Sequence, residues 1–590
     1  MSDKMLLSAN EAVAYAAFKA GCKVAAAYPG TPSTEIFETL ARFSDRINAE
    51  WSCNEKVALE IAIGGSMAGA RSLCAMKHVG LNVAMDPLMT YACIGAYGGL
   101  VIAVADDPGI HSSQNEQDSR NLAKFARVPL FEPSDSQEAF DMVLEAYDVS
   151  EKYQVPCILR LTTRTSHTST VVDPGDDFGP GEQVVQPYKK DISRNVSAPV
   201  FARSMRYKVQ VRTEELCKYA ENTEANRIER ADNKLGIITA GVAYEYAKDV
   251  FGDCSILKLG LSNPFPAGLV RKFADSVEKI IVIEELDPFM DEQVRAMGIE
   301  TVKYETELNM MELNPGRLMV LREEILGDVE APVAHRADEG LPSRPPVLCS
   351  GCSHRGVFYV LSKLGATVTG DIGCYTLGAF PPLSAVDSTV CMGASIGNAF
   401  GMEKAGYGGR LCAVIGDSTF FHSGYTGIQD VLYNKGSVTT VVLDNRITGM
   451  TGHQDNPGSG RTLSGEEAPA TDIAEVARAM GYKHVESVDA FDLERLEEVL
   501  SRELDSDEAS VVVVKGPCRI NAGLMHAGTY EVDSDKCRAC GACFKLGCPA
   551  IIRGEPAADG KPFKASIDPV QCSGCGLCSQ VCRFDAISEK

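Results

Sequence analysis

The sequence predicts a multidomain α/β protein with a cysteine-rich tail, and three observations carry that prediction. Its 590 residues suffice for several domains. Short apolar runs alternate with helical patterns along most of the chain, as in doubly wound parallel sheets. Eight of the 21 cysteines fall between Cys537 and Lys590, far denser than elsewhere.

The clearest strand–helix–strand unit runs from Leu411 to Asn445. LCAVIGDS (411–418) and VTTVVLDN (438–445) read as buried parallel strands. Between them Ile428, Val431 and Leu432 have helical spacing, and Gly436 is the stop. Asp417 and Asn445 therefore fall at strand ends, the edge of an open α/β sheet where ligands sit. Two hard oxygen ligands there suit Mg²⁺, which leaves its remaining positions to water and ligand phosphates.

Earlier in the chain, Ser8 and Glu11 have capping-box spacing and open an Ala-rich helix that Gly21 closes. The strand Val24–Tyr28 leads into the turn Pro29-Gly30-Thr31-Pro32-Ser33 and a helix from Thr34 to Phe43. A second helix, Ser52 to Arg71, carries small residues and has Glu55 near its start, with Glu60 five residues on. In and after the strand Val155–Leu161, Arg160, Arg164 and His167 are candidates for receiving a carboxylate. A helix is expected over Thr213–Ala231, in a linker, and a fresh α/β pattern begins at Leu235. A proline-rich joint follows at 331–346.

With 57 basic against 80 acidic side chains the net charge is −23, and no basic strip interrupts it, which argues against nucleic-acid or anionic-membrane partners. The N-terminus lacks a signal-peptide core, and no run approaches the ~18 apolar residues of a membrane span. A cytoplasmic protein is expected, and a disulfide scaffold is not. The tail cysteines are better read as metal ligands. Cys537, Cys540 and Cys543 precede Cys548-Pro549, and Cys572, Cys575 and Cys578 precede Cys582. In paired [4Fe–4S] clusters each cluster takes three close thiolates from one run and its fourth from the other. That assigns Cys537, Cys540, Cys543 and Cys582 to one cluster, and Cys548, Cys572, Cys575 and Cys578 to the second. Four residues instead of three precede Cys548, and Arg583 stands where a proline is usual; neither change removes a ligand. A zinc ribbon would account for four cysteines but not for the doubled pattern.

Gly416-Asp417-Ser418 followed by Asp444-Asn445 resembles the thiamine diphosphate signature, with Ser418 in place of its second glycine. The resemblance implies that Asp417, Asn445 and the Ile447 carbonyl hold Mg²⁺ on the diphosphate. Cys391-Met392-Gly393 is similar to the segment that cradles the thiamine pyrimidine in such enzymes, and Glu55 to the glutamate that bonds its ring. Tyr28-Pro-Gly-Thr31-Pro-Ser is similar to the loop of 2-oxoacid:ferredoxin oxidoreductases whose threonine meets the substrate, which implies that role for Thr31. In multidomain members of that family a C-x-x-C and two later cysteines hold a further cluster. Cys349, Cys352, Cys374 and Cys518 resemble that arrangement, which implies a third [4Fe–4S] cluster.

Over nearly its whole length the chain resembles the alpha subunits of indolepyruvate:ferredoxin oxidoreductases. The resemblance implies a thiamine pyrimidine-binding-type α/β domain (1–185), a linker (186–234), a transketolase C-terminal-like domain (235–330), a thiamine diphosphate/Mg-binding α/β domain (345–525) and a 2[4Fe–4S] ferredoxin-like α+β domain (528–590). It implies oxidative decarboxylation of aryl-pyruvates with CoA to aryl-acetyl-CoA and CO₂, with electrons passing to ferredoxin, and a smaller beta subunit as partner. The aromatic preference rests on resemblance alone. An oxidoreductase of other 2-oxo-acid preference, or a non-redox thiamine decarboxylase or lyase, is the alternative.

Overall fold

The computed structural model describes residues 4–185, 188, 190–304, 311–330, 341–342, 345–557 and 563–590. The chain divides into two compact units, Met1–Glu339 and Gly340–Lys590. Most of the expected joint at 331–346 lies outside the described residues.

In the first unit a seven-stranded sheet has the order Leu261–Asn263, Leu130–Phe131, Cys157–Thr162, Leu100–Asp106, Ser72–Lys77, Val24–Ala27, Asn48–Trp51. All neighbours are parallel except Leu261–Asn263, which adds antiparallel at the edge. The central strands Leu100–Asp106 and Cys157–Thr162 are buried along their whole length, which accounts for their unbroken apolar runs. The capping box forms: Glu11 N donates to Ser8 Oγ (3.2 Å) and Ser8 N to Glu11 Oε2 (2.9 Å). A second sheet of the same unit joins Ile280–Ile283, Asp232–Thr239 and Cys254–Leu259 in parallel, with Asn226–Glu229 antiparallel on the edge.

One expectation is corrected here. The helix placed at Thr213–Ala231 is Pro199–Ala220, and the chain beyond it is the strand Asn226–Glu229. Pro199 at its first turn fits a helix start. At the other end Thr223 Oγ1 donates to Glu145 (2.6 Å) and Asn226 Nδ2 to Ala220 O (2.8 Å), which turns the backbone toward the second sheet.

In the second unit six parallel strands have the order Ser388–Thr389, Thr367–Gly370, Leu411–Gly416, Thr439–Asp444, Ser510–Lys515, His484–Asp489. The tail forms two antiparallel pairs, Tyr530–Val532 with Ile587–Glu589 and Ile551–Arg553 with Ala565–Ile567. Its apolar residues belong to the same core as the six-stranded sheet: Phe358, Leu496 and Val512 share one buried cluster with Leu546, Leu577 and Ile587. Fixing the tail costs chain entropy that this shared burial offsets.

Candidate functional site

The strand Leu411–Gly416 lies beside Thr439–Asp444 in register, Gly416 opposite Leu443, so Asp417 and Asn445 emerge at one carboxyl edge. Asp417 is buried; its Oδ1 accepts from Ser418 N (2.8 Å) and its Oδ2 from Asn456 Nδ2 (3.4 Å). Burial pushes its carboxyl up to about 7, and the nearby Asp444 charge adds to the rise. A carboxylate so placed needs a cation to stay charged, and one bound there would invert the shift. Asn445 Oδ1 accepts from Ile447 N (3.1 Å), and Asn445 Nδ2 lies 3.4 Å from His354 Nε2, a ring that burial takes down to about 4. Ser418, in the place of the second glycine, bridges to the following loop, its Oγ 2.8 Å from Thr448 Oγ1. The donor set fits a Mg²⁺–diphosphate.

Gly416 has no room for a side chain, because a Cβ would come within 2.6 Å of the Tyr375 ring. Gly393 has φ +82° and faces Ser423 closely (2.5 Å to its Cβ from an added Cβ), so this turn needs glycine after Met392. Asp371 is a residue that sequence reasoning missed. Fully buried at the end of the neighbouring strand, it accepts from Gly393 N (3.1 Å), Ser395 Oγ (2.8 Å) and the Tyr375 hydroxyl, and burial pushes it up to about 7. The signal was present: Gly370-Asp371 repeats the Gly-Asp strand ending of Gly416-Asp417.

Four cysteines of this unit converge on the same edge. An added Cβ on Gly449 would lie 3.5 Å from Cys374 Sγ and 4.0 Å from Asn445 Nδ2, and Cys518 N donates to Asn445 O (3.2 Å). Cys349 and Cys352 form a turn, Cys352 N to Cys349 O at 3.2 Å. Burial raises Cys374 to about 11, and the charges of Cys349 and Cys518 add to it; burial raises Cys352 to about 12, and Cys349 and Cys374 add there.

The tail cysteines separate into two neighbourhoods. After burial, the charges that raise Cys543 to about 11 are those of Cys540, Cys537 and Cys582. Those that raise Cys578 to about 12 are Cys575, Cys548 and Cys572, and these four line one cavity. Among the described residues no three His, Cys, Asp or Glu side chains converge as for a single ion. A [4Fe–4S] cluster does not require that, since its thiolates bind four different irons. All 21 cysteines are free of disulfides.

In the first unit, Thr31 is half-buried in the turn after Val24–Ala27, which Ser33 closes with its N and Oγ on Gly30 O (both 2.8 Å). Glu55 is the first residue of the helix Glu55–Met67, capped by Asn54, and is 4% exposed. It packs against Gly80, where an added Cβ would come within 2.8 Å of Glu55 Oε1. Glu60 instead is exposed and paired with Lys56, which separates the two rivals. The other candidates form ion pairs: Arg160 with Asp106 (2.7 Å) and Glu132 (2.6 Å), Arg164 with Glu312 (2.8 Å), and His167 with Glu35 (3.5 Å). Each meets a carboxylate from another element, and Arg160 Nη2 stays buried without a hydrogen-bond partner among the described residues. No helix among the described residues is long and apolar enough to cross a membrane.

Comparison with known proteins assigns these regions. Residues 15–231 match the pyruvate flavodoxin/ferredoxin oxidoreductase thiamine diphosphate-binding family, 371–514 the C-terminal thiamine pyrophosphate-binding domain of thiamine pyrophosphate enzymes, and 565–588 the 4Fe-4S binding domain. Among solved structures, a 2-oxoglutarate:ferredoxin oxidoreductase from Magnetococcus marinus aligns at 17% identity and a TM-score of 0.46, over 55% of this chain and 65% of its own. A ketoisovalerate oxidoreductase subunit VorA from Pyrococcus horikoshii is 26% identical over 51% of this chain and 86% of its own length. Indolepyruvate oxidoreductase subunit IorA from Pyrococcus abyssi is 41% identical over 100% of this chain and 97% of its own, and that from Methanothermobacter thermautotrophicus is 40% identical over 99% and 97%. The chain therefore belongs to the indolepyruvate oxidoreductase subunit IorA family, as one subunit of a thiamine diphosphate-dependent 2-oxoacid:ferredoxin oxidoreductase that carries iron–sulfur clusters.

Proposed function

We propose that the chain oxidises indolepyruvate and related aryl-pyruvates with CoA, giving aryl-acetyl-CoA and CO₂ and passing two electrons, one at a time, to ferredoxin. The observation that carries this reading is that Cys374 and Cys518 lie near Asn445, so thiolates fit for a cluster adjoin the edge fit for the diphosphate. The relatives' name supports the aryl-pyruvate; CoA, ferredoxin and a smaller partner subunit follow from the resemblance of the whole chain. Thiamine diphosphate, when bound, supplies the electron sink that lets a 2-oxo acid lose CO₂.

The chain's own residues take the following parts. Asp417, Asn445 and the Ile447 carbonyl would hold Mg²⁺ on the diphosphate, with Gly416, Ser418, Met392 and Gly393 shaping the cradle. Glu55, buried at a helix start, would exchange a proton through its carboxylate with the pyrimidine ring. Thr31 would contact substrate. Cys537, Cys540, Cys543 and Cys582 would ligate one [4Fe–4S] cluster, Cys548, Cys572, Cys575 and Cys578 a second, and Cys349, Cys352, Cys374 and Cys518 a third. The domain limits 1–185, 235–330, 345–525 and 528–590 belong to the same reading, as does a cytoplasmic site of action.

The test is viologen or ferredoxin reduction by the purified complex with indolepyruvate, phenylpyruvate, pyruvate and 2-oxoglutarate in parallel, with and without CoA. Fastest turnover on the two aromatic acids, dependent on CoA, is expected. Aldehyde and CO₂ formed at the same rate without an electron acceptor would instead indicate a non-redox decarboxylase. Three clusters correspond to about twelve irons per chain by iron and acid-labile sulfide analysis, two to about eight.

A further inference from the structure

Two arginines stand where the cysteine sets of the second unit meet. An added Cβ on Gly351, inside the Cys349–Cys352 turn, would collide with Ser573 Oγ and lie 3.4 Å from Cys575 Cβ, so this turn packs on the Cys572–Cys575 loop. Arg355, in the first turn of the helix His354–Leu364, is 2% exposed. Its fork donates from Nε to Cys349 O (3.1 Å), from Nη1 to Leu546 O (2.9 Å) and from Nη2 to Leu348 O. It also lines the cavity formed by Cys548, Cys572, Cys575 and Cys578. Arg519, next to Cys518, donates to Ser573 O.

All three acceptors of Arg355 are neutral carbonyls, and among the described residues no carboxylate pairs with it. A buried, uncompensated guanidinium is strongly disfavoured, and it cannot shed its proton. The compensating charge must come from what the surrounding thiolates hold. Cys548, Cys352, Cys349 and Cys575 are the groups whose charge favours the cation here, opposing the burial that disfavours it.

We propose that Arg355 is a positioning residue whose fixed positive charge, set between the Cys349–Cys352 turn and the Cys548/Cys572/Cys575/Cys578 set, raises the potential of the cluster in that set and so draws electrons into the tail. A cluster held there would gain one negative charge on accepting an electron. A cation held beside the cluster in low dielectric stabilises the reduced form over the oxidised one. The inference rests on reading that set as cluster ligands.

The test uses the full chain with its partner subunit: Arg355→Gln, Arg355→Lys, Arg519→Gln and Cys578→Ser, each assayed for iron and sulfide and by EPR-monitored redox titration. Arg355→Gln is expected to keep its iron and to raise the oxidised-to-reduced ratio of the tail cluster at least tenfold at the wild-type midpoint, about 59 mV for a one-electron couple. Arg355→Lys should stay within about threefold, and Arg519→Gln should move the ratio the same way by less. An Arg355→Gln protein with full iron at the wild-type potential overturns the proposal. If that variant loses its cluster, Arg355→Lys decides: lysine cannot span three carbonyls, so loss or a shift of potential there shows a purely structural role. Unaltered iron in Cys578→Ser would sink the ligand reading itself and the role of Arg355 with it, whereas a wild-type potential in Arg355→Gln overturns that role alone.

Discussion

Arg120 in the first unit and Arg355 in the second are equally buried, at 1% and 2% exposure, and they are handled in opposite ways. Arg120 is enclosed by charge: Asp118 (2.5 Å) and Glu284 (2.6 Å) pair with it, and the Glu285 and Asp287 carbonyls take what remains of its fork. Burial disfavours that guanidinium, but the carboxylates hold it firmly protonated. Arg355 has carbonyls alone. The first cation is spent on tying one sheet of its unit to another, since Asp118 precedes a helix that packs on the large sheet and Glu284 follows a strand of the small one. The second keeps its charge available to whatever the cysteines bind. The difference teaches that burial by itself does not mark a functional charge; the nature of its partners does.

The comparison can be broken at several strengths. The largest effect expected is from Arg120→Met, which strands Asp118 and Glu284 in the interior and should cost about 3–5 kcal/mol in chemical denaturation. A loss below ~1 kcal/mol would mean that the network is not what joins the two sheets. Next, Glu55→Gln should lower turnover by ~10²-fold or more with folding and iron content unchanged, measured by viologen reduction; Asp417→Ala should lose Mg²⁺-dependent thiamine diphosphate binding, read by cofactor fluorescence or calorimetry. Retained cofactor in the aspartate variant would refute the metal assignment.

A smaller effect sharpens the picture of the first unit's acids. Burial pushes Glu285 up to about 7, and among the described residues Leu313 N is the one donor bonded to its carboxylate (3.0 Å). An unfolded glutamate titrates near ~4.3. Between those values the folded chain holds a proton that the unfolded chain has released, so stability from this group falls as pH rises from about 4 to about 7. Glu285→Gln should flatten that slope and leave the variant more stable than the wild type by about 2 kcal/mol at pH 6, by denaturation at pH 4 and 6. Smallest of all, Glu60→Ala removes only the exposed pair with Lys56 and should change stability by under ~0.5 kcal/mol and leave activity intact. A large loss of activity there would return Glu60 to contention with Glu55.

Much of the architecture was legible in the sequence because its elements announce themselves locally. Unbroken apolar strands, the Ser8–Glu11 capping box and the Gly-Asp strand ending at 416–417 depend on a few adjacent residues, and each formed where its pattern lay. The helix at Pro199–Ala220 did not: its long polar face gave no apolar stripe to fix its ends, and its limits follow from contacts with Glu145 and Leu261 far along the chain.

The sequence by itself determined the identity and spacing of the candidate ligating groups. Three cysteines two residues apart must lie in one turn, and a Gly-Asp at the end of a buried strand must emerge at a sheet edge, whatever the rest of the chain does. Only the tertiary structure decided which groups were spent and which were left. It buried Glu55 and exposed Glu60, gave Arg160, Arg164 and His167 carboxylate partners, brought Cys374 and Cys518 near Asn445, and set the Cys349–Cys352 turn against the Cys572–Cys575 loop with Arg355 beside both. The reason is physical: local spacing fixes direction over a turn or a strand, whereas the charge a side chain meets is set by elements hundreds of residues away that packing alone brings near.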